Sequence, residues 1–452
     1  MEIKRDRYLE ELRSRMGGDM VKVITGVRRC GKSYLLFKLF RDFLIGEGVK
    51  PNRIVEIALD DESMKRLRNP IELGKYIRAH LPRGKGRTYL FIDEIQLCYK
   101  VLQPGVNLRR VAREDRESCY VTFYDVLNEF RKLPNVDVYV TGSNSKMLSR
   151  DVATNFRGRG DEVRVRPLSF GEFLQTTGKD RQEALEDYMV WGGMPQVALE
   201  PSRARKEKLL KDMFNRIYLR DIKERHRLKG LEVISAVTDV LSSAVGSLTN
   251  PNKLGKSLGS QSRLKTTNRT LDKYLGYLED AFLFTKVARW DVRGKKLLEF
   301  PAKYYAEDTG LRNARLNFRE PEKPHLMENV IYNELVRRGY AVDVGVVSVA
   351  ERKQGKLTVR NHEIDFIVNL GSGKLYVQSA FSMDEESQRE RESVGLRKTG
   401  DFFAKMIVRA GTMRPTFDES GILHVGLIPF LLDESTAFNP TNHSSSFLRL
   451  QA

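Results

Sequence analysis

A lysine followed by a hydroxyl residue, both just after a glycine, is the clearest offer of chemistry in this chain. The run Gly26-Val27-Arg28-Arg29-Cys30-Gly31-Lys32-Ser33 fits the pattern G-x-x-x-x-G-K-[ST] in full. In such a loop the backbone N–H groups from Gly26 to Tyr34 converge on anionic oxygens, and the glycines permit an approach that a Cβ would block. Lys32 is expected to reach the β- and γ-phosphates of a nucleotide, and the Ser33 hydroxyl to hold Mg²⁺. Hydrolysis also needs carboxylates, and Tyr89-Leu90-Phe91-Ile92-Asp93-Glu94 ends in two. Asp93 is the expected second ligand of Mg²⁺, directly or through water, and Glu94 the group that polarises the attacking water. A third segment, Val136 to Asn144, ends in small polar side chains. Thr141, Ser143 and Asn144 are candidates to orient water or sense the γ-phosphate. Arg157 and Arg159 follow. Either could stabilise charge on the transferring phosphoryl group, in cis or from a neighbouring subunit, or simply be a solvated surface arginine.

These groups need a frame. Val21-Lys22-Val23-Ile24-Thr25 reads as a short β-branched strand, and Ser33 to Ile45 as an amphipathic helix. Strand, glycine turn and helix N-terminus in that order aim N–H groups at phosphate. Tyr89 to Asp93 is apolar without alternation, which predicts a strand covered on both faces, with its acids where α/β sheets bind ligands. Glu162 to Val165 reads as a further strand. Residues 1–170 therefore alternate strands and helices as a doubly wound parallel sheet requires.

With these motifs in place, residues 1 to about 200 resemble the bacterial and archaeal AAA-type P-loop ATPases. The matching strings are the GVRR-x-GKS loop, FIDEIQ at Phe91 to Gln96, and TGSNSKMLS at Thr141 to Ser149. Arg166-Pro167-Leu168-Ser169-Phe170-Gly171-Glu172-Phe173 and Gly192-Gly193-Met194-Pro195 match the same family. The resemblance implies an AAA-like α/β fold and an ATPase, and it extends over most of the chain because members carry a similar C-terminal domain. Cys30 departs from the pattern, since a small residue such as serine is common there; a thiol fits, with redox sensitivity as its consequence.

At 452 residues the chain exceeds one ordinary core, so several domains are expected. The formal charge of +18 favours a polyanionic partner, most simply DNA. The 3 cysteines have no metal-ligand spacing and the 6 histidines are scattered, which argues against a zinc site or disulfides. No long apolar run and no apolar signal core are present, so a cytoplasmic protein without a membrane partner is expected.

Within the first domain, Tyr99 to Ser118 is long, basic and without strand pattern, with Arg109, Arg110, Arg113 and Arg116 clustered. It reads as a nucleic-acid contact or a solvated insertion. Residues 171–229 are helical in period and read as a lid or linker. Residues 230–315 read as a winged helix: helices at Leu231 to Val245, Asn252 to Leu258 and Thr267 to Ala281, then strands Phe282 to Ala288 and Lys296 to Tyr304. Its recognition helix would present Asn268, Arg269 and Lys273 to the major groove, with Lys265 at its start and Arg293, Lys295 and Lys296 on the wing against phosphates. The same unit could instead dock a protein.

Residues 322–432 open with a helix, Leu326 to Arg338, that carries Glu328 and Glu334. Strands Val342 to Val349, His362 to Val368 and Lys374 to Phe381 follow. This layout resembles degenerate PD-(D/E)xK nucleases, a small α/β restriction-endonuclease-like fold. Asp365 takes the place of the motif's acid, but Gln378-Ser379-Ala380 stands where E-x-K is expected. One carboxylate and the lysine are missing, so cleavage is not expected. Residues 433–452 read as a flexible tail.

The reading is a Mg²⁺-dependent ATPase, oligomeric, acting on DNA as a motor or remodeller. Lys32, Ser33, Asp93 and Glu94 carry the chemistry, and Arg157 or Arg159 completes a site at a subunit boundary. The alternative is a nucleotide-dependent switch that engages a protein partner.

Overall fold

A computed structural model describes residues 2–84, 86–142, 159–261, 266–319, 322–353, 356–371, 373–383 and 385–433. The chain divides into two compact units, one of residues 2–166 with 280–282, the other of 167–279 with 283–433.

The first unit is built on a five-stranded sheet. Strands β1 (Val21–Thr25), β2 (Ile54–Ala58), β3 (Thr88–Asp93), β6 (Val136–Thr141) and β7 (Gly160–Arg164) lie in the order β2-β3-β6-β1-β7. All pairings are parallel. Every residue of β1, β3 and β6 is buried, as a sheet sandwiched between helices demands. Crossover helices explain the parallel order, because a hairpin cannot join parallel strands. On one face, Leu73 and Ile77 of the Pro70–His80 helix and Val126, Leu127 and Phe130 of the Phe123–Phe130 helix pack with Leu90, Ile92 and Val138 of the sheet. The Phe123–Phe130 helix starts where Thr122 and Asp125 form a capping box. The helical run after the phosphate loop opens at Lys32–Tyr34, widens to π-type turns over Leu35–Phe40 and returns to α over Arg41–Gly46. Phe40 in the wide turns packs on Tyr139 and Phe91, with ring centroids 5.0 and 5.8 Å away, which ties this helix to β6 and β3.

The basic stretch after Tyr99 is not strandless. Short strands β4 (Val101–Leu102) and β5 (Tyr120–Val121) pair antiparallel at its base, and the intervening chain closes into 3-10 turns. Two apolar residues on each side suffice for this clasp, too short a signal for periodicity to reveal.

The second unit has an eight-stranded sheet. Its strands are β8 (Phe284–Asp291), β9 (Lys296–Ala306), β10 (Ala341–Lys353), β11 (Lys356–Asn369), β12 (Lys374–Ala380), β13 (Ala404–Arg409), β14 (Thr416–Phe417) and β15 (Leu423–Gly426). Their order is β14-β15-β13-β12-β11-β10-β8-β9. Helices Glu232–Ser243, Pro251–Gln261 and Asn268–Asp280 precede the β8–β9 hairpin, the order expected of residues 230–315. The hairpin is not a free wing. Arg289, Trp290 and Asp291 of β8 pair in parallel with Val344, Gly345 and Val346 of β10, so it continues the C-terminal sheet.

Candidate nucleotide site

The phosphate loop follows β1, between β6 and β7. Gly26 has φ +139°, and a Cβ there would meet the Val165 carbonyl oxygen at 2.0 Å, so only glycine fits. Gly31, at φ +99°, turns the chain into the helix. Arg28 and Arg29 are exposed, and Arg29 sits at φ 67°. Val27 and Cys30 are fully buried, and the Cys30 thiol donates to the Val165 carbonyl at 3.3 Å. This shields the thiol from solvent oxidants. Tyr34 is 46% exposed and Ser33 half-buried. The Lys32 side chain is buried, yet its ammonium donates to the carbonyls of Gly26 and Val27, 3.0 Å each, rather than to a carboxylate. Among the described residues Lys32 is hydrogen-bonded by its own loop alone, so it can turn to phosphate without breaking an ion pair.

Arg5 holds this loop from below, and sequence reading missed it. Its guanidinium donates to the Cys30 carbonyl at 3.3 Å and to the Arg166 carbonyl at 2.8 Å. The only sequence signal would have been an arginine flanking the first helix, Asp6–Ser14.

Asp93 and Thr141 end adjacent strands, β3 and β6, beside the loop. The Thr141 hydroxyl donates to the Asp93 carboxylate and accepts from the Glu94 N–H at 3.1 Å. One hydroxyl thus fixes both acids. Glu94 adopts a left-handed backbone, φ 51°, a conformation uncommon for glutamate. Burial pushes its carboxyl above the usual range, the Lys32 charge opposes this, and the Asp93 charge adds to it. The Gln96 amide donates to it. A half-buried carboxylate with raised proton affinity beside a lysine is suited to take a proton from water.

Residues 18–174 match the family profile of an AAA domain, and residues 182–322 match a domain of unknown function (DUF8612). A Haemophilus influenzae protein described as uncharacterized is 32% identical over 95% of this chain and 98% of its own length. The chain belongs to the family of that protein. A Methanocaldococcus jannaschii protein, also described as uncharacterized, is 28% identical over 82% of this chain and 77% of its own. Among solved structures, the Aeropyrum pernix ORC1 protein in complex with DNA covers 70% of this chain and 93% of its own, at 14% identity and TM-score 0.27.

In this AAA-domain chain the remaining expected residues fall unequally. Ser143, Asn144, Arg157 and Lys265 lie outside the described residues. Arg159 is described and stands at the wrong end of the sheet for its own phosphate loop. Its carbonyl accepts from Val21, at the start of β1, and Val21 lies opposite Gly160 while Thr25 lies opposite Arg164. The loop leaves the far end of β1, ~13 Å away at the usual strand rise. Arg164, not Arg159, pairs with the last residue of β1, and its guanidinium lies 4.7 Å from the centroid of the Phe282 ring; the sequence could not say so without the register.

The strings Leu168-Ser169 and Gly192-Gly193 turn out to be packing devices. Gly193 and Leu168 approach so closely that a Cβ on Gly193 would meet the Leu168 carbonyl oxygen at 2.2 Å. Buried Asp308 accepts from the Gly193 N–H at 2.7 Å and caps the Thr309–Arg315 helix through the Leu311 N–H. Burial pushes the Asp308 carboxyl up to about 6, against the hydrogen bonds it accepts.

In the second unit, Arg269 and Lys273 are exposed one turn apart on the Asn268–Asp280 helix, with Lys295 and Lys296 exposed at the hairpin turn. Two of the expected contacts are already engaged. Arg293 donates twice to the Lys398 carbonyl, at 3.1 and 2.7 Å, and the Asn268 amide donates to Asn252 at 2.5 Å.

A lysine from outside residues 322–432 meets Asp365. Ala380 is packed in the apolar core, but Lys303 of β9 brings its ammonium among three carboxylates. Glu328 lies 2.8 Å away, Glu363 2.7 Å and Asp365 3.2 Å. The Tyr305 hydroxyl donates to Glu328 at 2.6 Å, and the Ser379 N–H to Asp365 at 2.9 Å. Gln378 donates to Glu392 at 2.9 Å, which a glutamate there could not do. Glu334 lies outside this cluster, paired with Arg337 and Arg338 at 2.6 Å each.

Proposed function

We propose that this chain is a Mg²⁺-dependent ATPase whose hydrolysis is coupled to DNA. The observation that carries the reading is the joint geometry of Lys32, Asp93, Thr141 and Glu94 at one edge of three adjacent strands. ATP would lie along the loop N–H groups from Gly26 to Tyr34, with Lys32 turning from its own carbonyls to the β- and γ-phosphates. Ser33 and Asp93 fit a hard cation, being a hydroxyl and a buried carboxylate fixed by Thr141, and Mg²⁺ bound there would neutralise phosphate charge. Glu94 draws a proton from water as its oxygen attacks the γ-phosphorus; the bond to the bridging oxygen breaks, leaving ADP and phosphate. Arg159, remote from its own loop, is assigned to a neighbouring subunit's site, which makes the active form an oligomer.

The DNA half of the reading is supported by the formal charge of +18 and by exposed Arg269, Lys273, Lys295 and Lys296 beside the hairpin. In this reading residues 171–229 act as a lid, 230–315 as a winged helix and 322–432 as a nuclease-like domain that does not cleave. The reading is tested by the steady-state ATPase rate with Mg²⁺, alone and with single-stranded, duplex and branched DNA, with Glu94→Gln as control. The expected result is a Glu94-dependent rate raised severalfold by one DNA form. A rate indifferent to every DNA would remove DNA from the function and leave a nucleotide switch.

A further inference from the structure

At the edge of the second sheet where parallel strands β12, β13 and β15 end, the surface opens into a cavity of about 450 Å³. Such edges are where α/β sheets receive ligands, and this size suits a small one. Arg389 and Arg397 line it from the Glu386–Arg397 helix, at a spacing that puts both on one face. Arg409, the last residue of β13, and His424 of β15 line it from the sheet.

The cavity's electrostatics are one-sided. Asp418 is the single acid among the described residues that line it. That carboxylate is already occupied: it accepts from the N–H groups of Ser420 and Ile422, both at 2.9 Å, and faces His424 at 3.2 Å. Burial alone would raise its proton affinity, but these donors outweigh burial and hold it low, so it stays ionised in place. Arg389 is anchored by donating to the Met383 carbonyl at 2.8 Å. Among the described residues neither Arg397 nor Arg409 has a carboxylate within ion-pair reach, and Arg409 rests on the Met413 sulfur at 3.7 Å. Arg397 and Arg409, with no carboxylate among the described residues within ion-pair reach, offer guanidinium donors that a phosphate dianion would accept from bidentately. At the rim, Phe417 is 53% exposed, a free aromatic face of the kind on which bases stack.

We propose that this cavity binds a phosphomonoester of mononucleotide size, with Arg397 and Arg409 on the phosphate and Phe417 under the base. The source is a free nucleotide or the phosphorylated end of a nucleic-acid strand, and either would be held independently of the phosphate loop. The test uses the intact chain carrying Lys32→Ala, which silences that loop. Titration calorimetry is run with AMP and with short single-stranded DNA bearing either a 5′-phosphate or a 5′-hydroxyl. The expected result is binding of AMP, or of the 5′-phosphorylated strand over its hydroxyl counterpart, weakened at least tenfold by Arg397→Gln or Arg409→Gln. Phe417→Ala should weaken it severalfold. Arg391→Gln, which removes the same charge from the same helix outside the cavity, should leave it within twofold. AMP alone would name a free nucleotide, and a preference between the two strands would name a strand end. No binding of either phosphomonoester, or equal losses in Arg391→Gln and Arg397→Gln, would overturn the proposal.

Discussion

Two lysines in this molecule stand close to acids, and they do opposite things. Lys32 is buried at the edge of a parallel sheet, with its ammonium on two carbonyls of its own loop and its charge felt by Glu94. Lys303 is equally buried, and three carboxylates meet its ammonium within 3.2 Å. The lysine of the first site bonds neutral carbonyl oxygens of its own loop. The second is satisfied as it stands, its ammonium lying among three carboxylates. Burial of a lysine beside acids therefore does not by itself mark a catalytic site.

The widest separation of the two sites is expected from Glu94→Gln. It should lower hydrolysis by roughly 100- to 10,000-fold, the range of a lost general base, while ATP remains bound. Phosphate release beside a binding titration reads both, and equal loss of binding and turnover would deny Glu94 its role. Next comes Lys303→Met, which strands the buried carboxylates of Glu328 and Asp365 and should destabilise the second unit by about 3–5 kcal/mol in urea unfolding. Lys32→Met, with no ion pair to break, should move the same midpoint little. Similar losses in the two variants would erase the contrast. Thr141→Val removes the hydroxyl shared by Asp93 and the Glu94 N–H, leaving buried groups unsatisfied at about 1–3 kcal/mol. It should slow turnover more than it weakens ATP binding, and an unchanged rate constant would mean that Thr141 positions nothing.

The smallest effect concerns pH. Burial raises the Glu94 carboxyl above the usual glutamate range, so its working, ionised form appears only as pH climbs through that raised value. The acid limb of kcat/KM should therefore lie above the range of an ordinary glutamate. The stability sign is the reverse: a carboxyl whose folded pKa exceeds its unfolded one favours folding when protonated, and that contribution fades as pH rises through the folded value. Glu94→Gln should accordingly unfold at a higher temperature than wild type at pH 8 and lose that advantage in acid. A lower melting temperature at pH 8 would contradict the burial argument.

The nucleotide site was legible because its parts are local. Gly26 to Ser33 lie on one turn, and Asp93, Glu94 and Thr141 are strand ends, so pattern alone placed them. Residues that depend on register or on distant chain were not. Arg159 and Arg164 are equally basic and nearly adjacent, and only the pairing of Gly160 with Val21 reveals which end of β1 each occupies. Lys303 lies 62 positions before Asp365, in a hairpin read as a wing, so its meeting with that carboxylate was invisible. Arg5 supports the loop through backbone carbonyls, which carry no sequence signature. The fold of each segment was readable in outline, but the continuity of β8 with β10 was not, since a three-residue parallel pairing leaves no periodic trace.

The most direct measurement is phosphate release from ATP and Mg²⁺ by wild type, Lys32→Ala and Asp365→Asn, each normalised to folded protein by circular dichroism. The account predicts that hydrolysis disappears in Lys32→Ala and persists in Asp365→Asn. Hydrolysis that survives loss of Lys32, or that fails with Asp365, would place the chemistry in the wrong unit and contradict it.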